Sequence, residues 1–249
     1  MKYLSRRLLL RLAAAAGAAT LLPRTARAAE PQYLLAIAVG SDGTIYLADR
    51  QLPGVWKLSE GKLSVLFAGS KKFRTPLNAV RCLAIDQNGK LLAGDSSTRE
   101  VYRFGDDGQP VPLTKGGIGI PTSIAVRKSG ELLVADLELH RIWTVPTGGG
   151  EPKLFAQVNA PRGLAIDTDD NVWVLSLGPT PLFRGSAEGK LEPVLKERTF
   201  EFPGDLALDG AGNAYVCDTY AKAIWKFAPG QAPTKWATGE PLVSPTGIV

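Results

Sequence analysis

Histidine and cysteine are scarce in this 249-residue chain, with one His and two Cys. Any Ser-His-Asp or Cys-His mechanism would have to use His140, and one imidazole cannot supply the several that a His-rich zinc centre needs. Cys82 and Cys217 form no C-x-x-C or haem-attachment motif, so neither zinc nor haem is indicated. Acidic residues are absent from residues 1–28, which hold six Lys and Arg. The formal charge of +5 for the whole chain is therefore misleading: beyond Ala28 there are 23 basic and 24 acidic residues, a net of −1. That balance gives no overall positive field to gather phosphates and argues against nucleic acid as a partner. Long apolar runs are also missing after Ala28, so no membrane span is expected in the mature chain. Nor does any stretch there keep a 3.6-residue period, which excludes a substantial helix.

Residues 1–28 read as an export signal, with a basic start, an Ala/Leu-rich middle and a small-x-small end at Ala26-Arg27-Ala28. The segment Ser5-Arg6-Arg7-Leu8-Leu9-Leu10-Arg11 resembles a twin-arginine signal, with a general secretory signal as the alternative. Cleavage after Ala28 would leave 29–249 as a single domain, periplasmic or secreted.

That domain is one motif repeated. Leu34–Val39, Val80–Ile85, Pro121–Val126, Pro161–Ile166 and Pro203–Leu208 align, and Pro245–Val249 begins like a sixth copy. Each start leads to a turn rich in Asp, Asn and Gly, such as Ser41-Asp42-Gly43 or Gln87-Asn88-Gly89, which tolerates the positive φ of a tight hairpin. A second apolar run follows, then a third with an aromatic at one column (Trp56, Tyr102, Trp143, Phe183, Trp225), then a looser fourth. Four short strands per repeat of about 40–45 residues describe an all-β propeller of four-stranded blades. Five blades are complete, and the first strand of a sixth follows. Either three strands of that blade are lacking, or five blades close and the last segment packs as an extra strand. Cys82 and Cys217 fall on strands of non-adjacent blades, which predicts two free, buried thiols.

At these residues the chain resembles the NHL-repeat family and its six-bladed relatives, the gluconolactonase/regucalcin group and the TolB-like propellers. The shared pattern is P-x-G-[IL]-A-[VI]-D, then x-G-N-x-Y-V-x-D, then R-[IV]-x-x-[FV]; Asp136-Leu-Glu-Leu-His-Arg-Ile142 matches its last part. The resemblance covers residues 34–249 and implies a six-bladed fold. It fixes no single activity, because such folds serve binding, lyase and hydrolase roles.

For the gluconolactonase group, the resemblance implies a calcium-type site that polarises the lactone carbonyl. Its ligands are a Glu early in the first blade, an Asn in a Pro-Asn-Gly start and an Asp in a Pro-Asp-Gly start. The matching positions here are Leu34-Leu35, Pro161-Arg162-Gly163 and Pro203-Gly204-Asp205, with the Asp shifted by one residue and so turned to the other strand face. The amidating lyases of this type use several His around zinc, which one His cannot supply. The virginiamycin-lyase type needs a catalytic His near the channel with supporting carboxylates, for which His140 is a poor candidate.

A recurring Asp ends the second run (Asp49, Asp95, Asp136, Asp218), with Ser176 in the fourth repeat. This column is expected to cap backbone N–H groups rather than to cage calcium. The aromatic column is expected to pack between blades. The second position of each start faces the mouth of the central channel, where Arg81, Thr122, Arg162 and Thr246, with Asp205, form a candidate site for a small carboxylate or phosphate. The competing expectation pairs each Arg with a neighbouring Asp. The sequence thus reads as an exported, monomeric binding or scaffold module. It has no catalytic residues, cofactor or metal, and its partner is a small anionic ligand or an envelope protein. The alternative is a gluconolactonase-like hydrolase or propeller lyase with a non-standard divalent-cation (Ca2+) site.

Overall fold

The computed structural model describes residues 31–228 and 230–249; the proposed export signal lies outside them. Among the described residues there are twenty strands and no helix. Blade 1 comprises β1 (Leu34–Val39), β2 (Ile45–Asp49), β3 (Gly54–Ser59) and β4 (Lys62–Ala68). Blade 2 comprises β5 (Val80–Ile85), β6 (Leu91–Asp95), β7 (Glu100–Phe104) and β8 (Pro110–Pro112). In blade 3 these are β9 (Pro121–Val126), β10 (Leu132–Asp136), β11 (Arg141–Val145) and β12 (Lys153–Gln157). Blade 4 has β13 (Pro161–Ile166), β14 (Val172–Ser176), β15 (Leu182–Gly185) and β16 (Leu191–Leu195). Blade 5 has β17 (Pro203–Leu208), β18 (Ala214–Asp218), β19 (Ala223–Phe227) and β20 (Thr234–Thr238). Each blade is an antiparallel meander.

The expected six-bladed architecture is not formed: the strands make five four-stranded sheets. Pro245–Val249, read from its sequence as the first strand of a sixth blade, is not a strand. Strand identity needs a partner ladder as well as a suitable residue pattern, and this segment joins none of the five sheets. The segment lies instead between the inner strands β17 and β1. Thr246 Oγ1 donates to Leu34 O (2.9 Å), Thr219 Oγ1 donates to Pro245 O (2.9 Å), and the Ile248 N–H points at Asp205 Oδ2 (3.4 Å). Gly204 permits this approach, since a Cβ there would stand 2.8 Å from Thr246 O.

The hairpin turns use left-handed backbone where the sequence placed Gly. Gly43, Gly89, Gly130 and Gly212 all have φ between 74° and 83°. Blade 4 has Asp170 at the same position with φ 65°, a conformation Asp tolerates better than most residues.

The second strands of blades 2, 3 and 4 are buried along their whole length, on both faces, while the outer strands β4, β12 and β20 are largely exposed. Among the described residues, four buried clusters lie between blades 1 and 2, 2 and 3, 3 and 4, and 4 and 5. Tyr102 and Trp143 project into the clusters shared with the preceding blade, and Trp225 packs edge-on against Phe200 at 5.8 Å. Tyr102, Trp143, Phe183 and Trp225 therefore pack between blades, as expected from the default burial of large apolar side chains, whereas Trp56 is buried outside these clusters.

Candidate functional site

Meander topology fixes which connections share a face. The connections that enter each inner strand, and those joining second to third strands, lie on what we call the upper face; the hairpin turns lie on the lower face. The Asp column stands at the upper end of the second strands. Asp136 accepts from the backbone N–H groups of Gly119 (2.8 Å), Ile120 (3.1 Å), Glu138 (3.1 Å) and Leu139 (3.1 Å), and from Trp143 Nε1 (2.9 Å). Burial pushes its carboxyl pKa up, but these donors outweigh burial and hold it below the ordinary Asp value. Asp49, Asp95 and Asp218 repeat the arrangement in their own blades. In blade 4 a smaller version is built by Ser176, whose Oγ donates to Asn159 O (2.6 Å) and accepts from Gly178 N (2.8 Å). The four carboxylates are thus committed to separate loops, and among the described residues no three His, Cys, Asp or Glu side chains gather as a metal cluster.

His140 has φ 56°, at the turn position where Arg99 (60°) and Lys222 (49°) are also left-handed. Its Nδ1 accepts the Ala160 N–H at 2.9 Å. Both observations give it a turn-forming role.

The inner strands carry the candidate channel-mouth residues. Arg81 is exposed, and its Nε donates to Ser96 Oγ (3.1 Å). Arg162 is half-buried, with its guanidinium over the Phe202 ring at 5.0 Å. Its Nε is buried without a hydrogen-bond partner. Burial first, and the charge of Arg81 second, lower the basicity of Arg162, so the two cations from blades 2 and 4 sense each other. Neither makes an ion pair among the described residues, so the expected Arg–Asp pairing is not the arrangement found. Arginine keeps its charge even when perturbed, leaving two uncompensated cations near one another.

The two threonines are differently engaged. Thr122 Oγ1 lies 3.1 Å from Pro161 O, and Thr246 Oγ1 bonds Leu34 O, so both hydroxyl protons serve the backbone. Asp205 lies one residue further along its strand and points toward the neighbouring chain segment. Its Oδ1 accepts from Leu206 N (2.9 Å), and its Oδ2 faces Ile248 N. Burial of the carboxyl outweighs both donors and raises its pKa to about 7. Third positions along the inner strands are small because the next strand is close: a Cβ on Gly163 would meet Leu206 N at 2.7 Å. Cys82 and Cys217 share this tight layer as free, buried thiols. Burial, followed by the Asp205 charge, pushes both thiols up, which makes them poor nucleophiles.

The residues do not fit a calcium-type site at the family positions. Leu35 offers no oxygen ligand from its side chain, Arg162 brings a cation, and the Asp205 carboxyl is turned away into the strand layer. We therefore derive no step through a metal. The sequence reading missed the aromatic support behind Arg162: Phe202 stacks on Tyr220 with centroids 4.7 Å apart and planes 25° from parallel. The available signal was Phe202 immediately before the Pro203 start.

No protein-family model matches the chain. It is 24% identical over 230 residues to peptidyl-glycine alpha-amidating monooxygenases A and B of Xenopus laevis, with 79% of the chain aligned. It spans about a quarter of the length of these curated relatives. Among solved structures it resembles a gluconolactonase from Xanthomonas campestris (17% identity, TM-score 0.72, covering 88% of this chain and 79% of that one). It also resembles virginiamycin B lyase from Staphylococcus aureus (14% identity, TM-score 0.69, covering 86% and 73%). A chain of a nidogen–laminin complex is similar as well (17% identity, TM-score 0.71, covering 86% and 83%). The chain therefore has the β-propeller fold of the gluconolactonase-like and NHL-like proteins.

Proposed function

We propose that this protein is an exported, monomeric binding module that holds a small carboxylate or phosphate at the upper channel mouth, between Arg81 and Arg162. The observation that carries this reading is Arg162. A half-buried guanidinium with an unused Nε donor and, among the described residues, no carboxylate partner is costly unless something supplies the missing acceptor. Phe202 and Tyr220 fix its plane, and preorganised guanidinium groups suit bidentate carboxylate or phosphate oxygens. This reading assigns no residue to catalysis and needs no cofactor.

Thermal unfolding with succinate, phosphate or gluconate tests it. A ligand at about 100 times its Kd adds roughly 2.7 kcal/mol, or about 5–10 °C in a domain of this size. Arg162→Gln is expected to remove that gain with little intrinsic loss of stability. A melting temperature unmoved by all three anions, or a variant that keeps the full gain, overturns the reading.

A further inference from the structure

The net charge of −1 beyond Ala28 conceals a separation of charge between the two faces. Connections on the upper face carry nine Lys and Arg against four acids, Glu138, Glu197, Glu201 and Glu240. Six of the cations lie along blades 1 to 3: Arg50, Lys71, Lys72, Arg74, Arg99 and Lys115. The other three, Lys196, Arg198 and Lys222, flank blade 5. On the lower face the balance reverses, with four basic and twelve acidic residues.

Pairing sharpens the difference. Of the four lower-face cations, Lys90 pairs with Asp106, Arg127 with Asp170 (2.9 Å) and Lys190 with Glu192 (3.7 Å). Of the nine on the upper face, Arg99 alone is in an ion pair among the described residues, with Glu138 (2.5 Å). The upper face also carries protruding apolar side chains. Phe73 is 71% exposed and Tyr220 67%, the two most exposed large apolar residues described, and Leu139 and Val243 are exposed on other connections of this face. Phe73 stands in the run Lys71-Lys72-Phe73-Arg74, all exposed, on the connection between β4 and β5.

From this juxtaposition we propose that the upper face docks on an anionic lipid surface. Unpaired Lys and Arg attract acidic headgroups, and each contributes while it lies within a Debye length of them. An aromatic flanked by lysines can sink its ring to the acyl boundary while the cations stay among headgroups. The apolar tips come from separate loops around the ring rather than from one contiguous patch. That distribution suits insertion into a fluid surface better than the single packed core of a protein interface. The acidic lower face would be repelled, which fixes orientation: the channel mouth faces the membrane.

Flotation of the full chain with phosphatidylcholine vesicles containing about a quarter phosphatidylglycerol tests this. Binding is expected to the mixed vesicles, to be weak on pure phosphatidylcholine, and to be lost in high salt. Lys71→Glu with Lys72→Glu is expected to weaken binding about tenfold or more, and Phe73→Ser severalfold, with unchanged melting temperatures. Arg162→Gln is expected to bind vesicles normally, so failure of the channel-anion reading and failure of this one are distinguishable. Arg6→Glu with Arg7→Glu controls for the leader. The proposal is overturned if binding follows those leader residues alone, if the Lys71/Lys72 variant binds like the parent, or if the protein binds polygalacturonate but not vesicles.

Discussion

Asp136→Ala is expected to lower stability by about 3–5 kcal/mol, one of the largest effects of a single substitution in this fold. The carboxylate holds four backbone N–H groups and the Trp143 indole from two loops of blade 3, and the residue is fully buried. Truncation leaves five donors facing a small cavity. In a chain of this size the melting temperature should fall by about 6–20 °C. Ser176→Ala, which removes only two hydrogen bonds at the equivalent place in blade 4, should cost about 1–2 kcal/mol. The pH dependence has a definite sign. Asp136 has a lowered folded pKa, so its contribution is complete above the unfolded value near 3.8 and is lost as pH falls through the folded value. Equal losses for the two variants in urea titrations would show that the carboxylate is not the organising group.

Asp205→Asn should act in the opposite direction. Its folded pKa of about 7 lies above the unfolded 3.8, so between these values the folded protein binds more protons than the unfolded chain. Stability from this group is greatest below about pH 4, declines as pH rises to about 7, and stays level above. The neutral amide removes that slope. At pH 8 the variant should exceed the parent by on the order of 1–3 kcal/mol, while at pH 4 the two should be similar. Urea midpoints from pH 4 to 9 measure the difference, in which the other titrating groups cancel. A parent with no excess slope, or a variant less stable at pH 8, would mean that the ionised carboxylate is well accommodated.

Much of this architecture was legible because propeller repeats state their rules many times. Val80–Ile85, Pro121–Val126, Pro161–Ile166 and Pro203–Leu208 are inner strands with the bounds read from sequence. The turn position is left-handed in every blade, even where Asp170 replaces Gly. Pro245–Val249 was misread because it has the residues of an inner strand but lacks the ladder that makes one. The pairing state of Arg81 and Arg162 was also beyond the sequence, since it depends on where carboxylates across the ring point. The sorting of charge was hidden for a simpler reason. A value near zero says nothing about how charges are sorted, and here strand order sends acidic turns to one end and basic connections to the other.

Among the described residues, four clusters join successive blades, while blades 5 and 1 meet through Pro245–Val249 between their inner strands, which gives this ring a seam. In cooperative terms it is a row of five coupled units, comparable to a short solenoid. Blades 2, 3 and 4 each have two stabilising neighbours, and the terminal blades have one. Opening therefore begins at the seam and travels inward, and it need not break every interface at once. Amide exchange followed by mass spectrometry should show this as a gradient, with β9 and β10 slowest and the strands of blades 1 and 5 fastest. Uniform protection across all five blades would show that the short bridge couples the two ends as firmly as a full blade interface does.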